Sequence, residues 1–390
     1  MTPLMESPLD PGCLVPPSAQ KVSESFRPLL LDPARPDDSV ALSRLRESSS
    51  VREVHDRIED QVEELLRCRA PRDPFASRSR SHAVTEVMDG RPDAYGRWAW
   101  YPWSGRLVHV LPREEFRLVR TDRNRDKITR AQQQALLHRR IGVIGLSVGS
   151  SAALACAMEG VGGAFRLADF DRLGLSNLNR LRAGVHELGV EKSVLCARHM
   201  YELDPYLDIE IFRGGVTEDT IEDFFAAPAP GGGLDLLVEE CDTPWVKVAA
   251  REHARHRQIP VLMDTNDRGL LDIERFDVEP GRPLFHGRAG RVSADEVRAL
   301  DREETIRFLL TVVDEKRLSP AMADALTRVG RSLSSWPQLA SGVMLGAALI
   351  ADTARRILLG EPLASGRHAV DLHALVPAAE TGAHPLGAEE

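Results

Sequence analysis

Apolar positions fall into short runs divided by turn residues, and the period of the runs changes along the chain. In 51–67 (VREVHDRIEDQVEELLR), Val54, Ile58, Val62, Leu65 and Leu66 recur every three to four residues, which predicts a helix. Residues 73–94 show no such period and read as loop. The stretch 95–112 (YGRWAWYPWSGRLVHVLP) holds five of the nine Tyr and Trp residues around a Ser-Gly turn. It fits a β-hairpin or an irregular aromatic packing element. Its rings either cover one edge of the main domain or offer a stacking surface to a substrate.

From 128 onward the pattern becomes regular. A helix at 128–139 leads into a strand at 140–145 and a further helix. Strands at 165–169, 209–213, 234–239 and 259–263 then alternate with helices at about 187–203, 217–225 and 244–257. This alternation means βαβ units and a parallel sheet. The apolar strands lack clean alternation, as expected where helices cover both faces. The expected fold class is α/β, a Rossmann-like doubly wound, mainly parallel sheet with an N-terminal helical and aromatic extension and a helical C-terminal region. Beyond 265 the pattern is mixed, until an apolar helix at 336–358 with Pro337 in its first turn and Gly360 at its end. The expected organisation is a flexible Pro/Ser/Asp-rich segment (1–40), an accessory region (41–120), a nucleotide-binding domain (121–275), a C-terminal part of the same domain (276–365) and a tail (366–390).

Composition narrows the function classes. With 43% hydrophobic and 28% charged residues, the 390-residue chain has the make-up of an ordinary globular protein. A net charge of −9 argues against a nucleic-acid partner, since phosphate neutralisation needs clustered Lys and Arg. The opening MTPLMESPLDPG does not resemble a signal peptide, and the apolar run 343–351 is far shorter than the roughly 20 residues of a membrane span. These features predict a cytoplasmic protein with no membrane partner. The five cysteines (Cys13, Cys68, Cys156, Cys196, Cys241) form no CxxC pair, and none lies beyond 241. They suit a reducing compartment and supply neither a disulfide framework nor a zinc set.

The candidate chemistry is concentrated between Arg123 and Lys192. After the strand RIGVIG comes the turn GLSVG, from Gly145 through Ser147 to Gly149, one residue shorter than GxGxxG. Such a turn lets backbone N–H groups and a helix N-terminus approach phosphate. Asp169, in ADFD (168–171, with Asp171), ends the second strand, where an acid can bond ribose hydroxyls. To this point a dinucleotide fingerprint explains the residues equally well. SNLNR (Ser176, Asn177, Leu178, Asn179, Arg180) and Lys192 then add two cations and two amides. A triphosphate attacked at its α-phosphorus needs such cations, because charge grows on the phosphoryl oxygens and departing pyrophosphate. Asp242, at the carboxyl end of the fourth strand, is placed to hold magnesium, with Glu239 and Glu240 as alternatives. Cys241 beside it is either a thiol acyl acceptor or inert core. Asp264, Asp267 and Arg268 lie at the site edge or serve only the loop.

As a set, these motifs resemble the ThiF/MoeB-type adenylating enzymes, bacterial relatives of ubiquitin-activating enzymes, over roughly 120–270 plus the closing helix. The resemblance implies ATP-dependent transfer of AMP to a carboxylate. It further implies that Asp169 binds ribose, that Asn177 and Arg180 contact phosphate together with Lys192, and that Asp242 works near magnesium. Arg125, in Arg123-Asn124-Arg125, is implied to act in trans in a neighbouring subunit's site, and hence in a homodimer. Sulfur-carrier and ubiquitin-type members often carry paired CxxC motifs and a later thioester or persulfide cysteine, which this sequence lacks. Its acyl-adenylate would then meet a non-thioester nucleophile or pass to another enzyme. The activated carboxylate would belong to a small molecule such as an amino acid, to a peptide C-terminus or to a carrier protein. Similar arrangements carry a nitroreductase-like domain downstream, implying a separate redox partner. Two alternatives stay open at this point: an NAD(P)-dependent oxidoreductase, and a non-catalytic nucleotide-binding partner of another enzyme.

Overall fold

The computed structural model describes residues 24–226 and 233–376. Cys13, most of the 1–40 segment, most of the loop 226–233 and the end of the tail lie outside the described residues.

The N-terminal part contains β1 (Leu29–Leu31), α1 (Pro36–Glu47), β2 (Glu53–Asp56), α2 (Ile58–Arg69), α3 (Arg80–Val87), β3 (Arg97–Tyr101), β4 (Arg106–Val110) and α4 (Arg113–Arg120). Its strands form a four-stranded sheet in the order β1-β3-β4-β2. Three expectations are corrected here. The helix predicted over 51–67 splits into β2 and α2, because Glu53–Asp56 pairs in parallel with β4 before Arg57 turns the chain. The loop expected at 73–94 contains α3, whose start is capped by the Ser79 side chain. The segment expected to be flexible up to 40 is partly ordered: β1 pairs antiparallel with β3, and α1 begins at Pro36.

The 95–112 stretch forms the expected hairpin, and its rings are committed to packing. Trp98 and Trp100 join Leu31, Leu42 and Leu107 in a small core, while Tyr101 and Trp103 lie against the main domain. There the Tyr101 hydroxyl donates to the Tyr201 carbonyl (3.2 Å) and the Trp103 indole to Glu202 (2.6 Å).

The main sheet is built by α5 (Arg130–Leu137), β5 (Arg140–Ile144), α6 (Gly149–Glu159), β6 (Ala164–Ala168), α7 (Lys192–Leu203), β7 (Asp208–Phe212), α8 (Glu218–Phe225), β8 (Leu236–Glu239), α9 (Pro244–His256) and β9 (Val261–Asp264). These follow the predicted alternation within a few residues. Next come β10 (Leu270–Glu274), α10 (Ala294–Arg298), α11 (Arg302–Val313), α12 (Pro320–Arg328), α13 (Ala340–Leu358), β11 (Gly366–Ala369) and α14 (Leu372–Leu375). The sheet order is β11-β10-β9-β8-β5-β6-β7, parallel from β7 to β9 and antiparallel at β10 and β11. The closing helix starts at Ala340, so Pro337 precedes it, and β11 lies in what reads as tail. Helices α6, α7 and α13 bury one face of the sheet, and α8 to α11 bury the other. No helix among the described residues is long and apolar enough to cross a membrane.

Candidate functional site

The chain runs from β5 outward to β6 and β7, then returns to lay β8 and β9 on the other side of β5. In an open α/β sheet this reversal opens a crevice at the carboxyl ends of the two diverging strands. Gly145 leaves β5 with φ +86°, a left-handed conformation that a side chain rarely adopts. A Cβ there would also lie 2.6 Å from the Cys241 nitrogen and the Glu240 carbonyl. The turn therefore presses backbone to backbone against the end of β8, even one residue short. Gly149 opens α6 against Val143, and no side chain caps that helix. Its leading N–H groups and positive dipole end remain available to an anion.

Asp169 fixes the turn to the end of β6. Its Oδ2 accepts from the Leu146 N–H (2.6 Å) and its Oδ1 from the Asp171 N–H (2.7 Å). Burial pushes its carboxyl above the ordinary value, against the pull of the Leu146 amide and Lys192. Lys192, the first residue of α7 and only 5% exposed, pairs through Nζ with Asp171 Oδ2 at 2.7 Å. The SNLNR loop folds back over the glycine turn: Arg180 donates to Ser147 Oγ (3.2 Å), the Ser176 carbonyl (3.2 Å) and Asn179 Oδ1 (2.9 Å). Its Nε is buried without a partner. Burial lowers the guanidinium pKa, with Asp242 across the crevice pulling the other way. The two amides shape the loop. Asn177 Oδ1 accepts from Gly174 N–H (2.9 Å), and Asn179 Nδ2 donates to the Gln338 carbonyl (2.8 Å).

On the other side of the crevice, Asp242 is exposed just beyond β8, with no bonded partner among the described residues. It borders a cleft of about 170 Å³ lying over the ends of β8 and β9. Val148, Glu240, Lys247 and Asp264 also line this cleft, which α11, α12 and the 336–338 loop close.

The crevice thus has the glycine turn with Arg180 at the β5–β6 ends and a cleft at the β8–β9 ends. The sequence from 121 to 368 matches the model of the ThiF family. The chain belongs to the ThiF family. Among relatives of the ThiF chain, the uncharacterized protein MT1398 of Mycobacterium tuberculosis is 42% identical over 338 residues, covering 87% of this chain and 44% of that protein. The tRNA threonylcarbamoyladenosine dehydratase of Bacillus subtilis is 29% identical over 158 residues, covering 40% of this chain and 60% of that one. The chain thus spans less than two thirds of either relative. Similar solved structures include E. coli TcdA in complex with ATP (TM-score 0.43, 16% identity, 62% of this chain and 93% of that one). E. coli MccB is another (TM-score 0.41, 16% identity, 62% and 64%).

The ThiF domain does not bring every predicted residue together. Arg125 pairs with Asp122 (2.9 Å), and its neighbour Asn124 donates to the Glu159 carbonyl (3.0 Å) at the far end of α6. At 1.5 Å per residue, that is roughly 15 Å from the glycine turn, so Arg125 does not serve its own chain's crevice. Asp267 is occupied in accepting from the Ser319 N–H and hydroxyl (both 2.7 Å), and Arg268 pairs with Asp371 (2.7 Å). Burial pushes the Cys241 thiol well above its ordinary pKa, and its Sγ faces the Thr243 carbonyl. Cys241 is half-buried and also lines the cleft.

The sequence did not reveal the ionic framework beneath β8 and β9. Glu239 is buried against Lys247 Nζ (3.0 Å) and Arg251 Nη1 (2.5 Å), and Arg251 Nε reaches Glu274 (2.5 Å). Although burial opposes its ionisation, the charges of Lys247 and Arg251 hold Glu239 at about 2. The two remaining acids pair with each other, since the Asp264 N–H donates to Glu240 Oε1 (2.7 Å). Burial, reinforced by the Asp264 charge, raises Glu240 well above the carboxylate range, and burial raises Asp264 to about 7.

Asp264 gives a pH signature. Its unfolded carboxyl titrates near 3.8 and its folded one near 7. Between these values the folded state keeps a proton that the unfolded chain has lost, so stability falls as pH rises from about 4 to about 7 and then levels. The change is on the order of a few kcal/mol. Glu240, Lys247, Asp242 and Asp267 share the cleft, and Lys247 stays committed to Glu239. Urea unfolding at pH 5 and pH 8 should show a smaller stability difference in Asp264→Asn than in the wild type. Equal differences would contradict the assignment.

Proposed function

We propose that this chain transfers AMP from ATP to the carboxylate of a small acid, releasing pyrophosphate and leaving an acyl-adenylate. One observation carries this reading: Arg180 bonds Ser147 Oγ in the glycine turn, and buried Lys192 acts on Asp169, the carboxylate that accepts from that turn's Leu146 N–H. A dinucleotide held through ribose and backbone amides has no use for both.

The substrate carboxylate is ionised at neutral pH and needs no protein base. One of its oxygens attacks the α-phosphorus in line. The new P–O bond forms as the bond to the bridging oxygen breaks, and that electron pair leaves on pyrophosphate. Arg180 and Lys192 stabilise the charge that grows on the phosphoryl oxygens, and the α6 N-terminus holds the phosphates. Asp169 orients the turn and retains free lone pairs for ribose hydroxyls. An exposed strand-end carboxylate suits magnesium, which favours one or two carboxylates plus phosphate oxygens, so Asp242 would hold it. When bound, the ion would supply further charge neutralisation. Because Arg125 lies remote from its own crevice, we place it in the site of a second copy of this chain, in a homodimer. With Cys241 packed as a neutral thiol, the acyl group passes to a non-thioester nucleophile.

Incubation with ATP, magnesium and a panel of amino acids, small acids and peptides should yield AMP and pyrophosphate by mass spectrometry. Equilibrium dialysis should show binding of ATP and not of NAD. Preferential NAD binding would overturn the reading in favour of an oxidoreductase.

A further inference from the structure

Resting on that reading, we propose that the cleft over β8 and β9 accepts a small apolar amino acid and seats its ammonium group on Asp264, Glu240 and Asn266. Asp264 is 4% exposed and lines the cleft, yet its Oδ1 has no hydrogen-bond partner. Its Oδ2 accepts from the Asn266 N–H (3.0 Å). Asn266 lines the same cleft with its own buried Oδ1 also unpartnered. Two adjacent unsatisfied acceptors call for a donor, because leaving such groups buried and unmet costs the full desolvation penalty. An ammonium offers three donors and no acceptor, and its positive charge would favour the ionised form of Asp264 that burial otherwise opposes. Lys247, the cation nearest to these groups, is held by Glu239 and does not fill the gap.

The fold prepares this seat. Gly346 of α13 passes so close that a Cβ there would lie 2.0 Å from Asp264 Oδ2. The helix thereby walls the carboxylate on one side and keeps it in place. The wall that α11, α12 and the loop before α13 add to the cleft is largely apolar, with Leu309, Val313, Met322, Leu326 and Trp336. Its volume of about 170 Å³ lies below that of pockets for drug-sized ligands, roughly 300–1,000 Å³. That favours a ligand of amino-acid size. Asp264 ends β9 next to Glu240, whose Oε1 accepts from the Asp264 N–H, and Asp242, two residues beyond Glu240, lines the same cleft. A peptide entering by its C-terminus would present an amide there, without the charge or the three donors.

The test is calorimetric titration of the full chain, saturated with α,β-methylene-ATP. The probes are L-leucine and L-phenylalanine, their amine-free counterparts 4-methylpentanoate and 3-phenylpropionate, and their N-acetyl forms. The free amines should bind about 10- to 100-fold more tightly than either counterpart, the range of a hydrogen-bonded charged group. In Asp264→Asn this preference should shrink to within about threefold while nucleotide affinity holds. If that variant does not fold, as judged by its thermal melt, Glu240→Gln serves in its place. Equal binding within each pair, no binding of either amino acid, or an undiminished preference in a folded variant would overturn the proposal. Failure to bind the nucleotide analogue, with the amine preference intact, would instead count against adenylation and leave the amine seat standing.

Discussion

Arg180→Ala and Lys192→Ala should each lower acid-dependent ATP–pyrophosphate exchange by about 10²- to 10³-fold, the typical cost of removing one group that stabilises transition-state charge. The effect belongs to the chemical step. Arg180 has a buried Nε with no partner and a hydrogen bond to Ser147 within the turn, so it is positioned before any substrate arrives. Lys192 is buried at the start of α7, and its partner Asp171 has a half-exposed side chain that water can serve once the lysine is gone. Folding should therefore survive both changes, with melting temperatures within a few degrees of the wild type. Exchange within twofold of wild type in both variants would remove the basis for adenylation. The sharing of the site proposed above adds a second readout. An Arg125→Ala chain mixed with a Lys192→Ala chain should regain about a quarter of wild-type exchange, because half of the dimers are mixed and each mixed dimer contains one intact site of two. No recovery would rule out action of Arg125 in trans.

Arg251→Met should destabilise the protein by about 3–5 kcal/mol, the cost of leaving buried charges uncompensated. Arg251 is fully buried, bonds Glu239 and Glu274 with its guanidinium, donates to the Lys247 carbonyl (3.1 Å) and stacks over Phe285 at 4.3 Å. The methionine fills much of the volume but leaves Glu274 without its cation and Glu239 with Lys247 alone. Adding Glu274→Gln should recover a good part of the loss. Chemical denaturation measures both variants, and a loss below about 1 kcal/mol in the single variant would show that water or repacking compensates. Glu239 also accepts from the Cys241 N–H (2.9 Å), so the framework sets the direction in which the chain leaves β8 toward Asp242.

The residues proposed to bind nucleotide stand out in the sequence because they are local. The glycine turn, Asp169, SNLNR and Lys192 occupy fewer than 50 consecutive residues, and each falls at the end of an element whose period is clear. The acid half does not stand out in this way. Glu240 and Asp264 lie at the ends of different strands, and their cleft is closed by residues 309–338, where no single period dominates. Buried charge pairs such as Arg251–Glu274 cannot be told from surface charges by composition, since only the fold decides which face of α9 is inward. The misread N-terminal elements have a similar cause. Helix α3 depends on a Ser79 cap within a polar stretch, and β2 depends on pairing with a strand some fifty residues away. Asp267 and Arg268 looked free because their partners, Ser319 and Asp371, come much later in the chain.

The segment just before β1 has a role that concerns association in place of catalysis. β7 is an outer strand of the main sheet, and such strands invite pairing with another molecule. Residues 24–27 lie along it without forming a strand: Arg27 donates to the Ile209 carbonyl (2.8 Å), while Arg213 bonds both the backbone and the side chain of Glu24. Phe26 packs beneath, against the cores on either side of α7. This short strap blunts an adhesive edge, so a fragment trimmed to the nucleotide-binding domain would expose it and be prone to self-association.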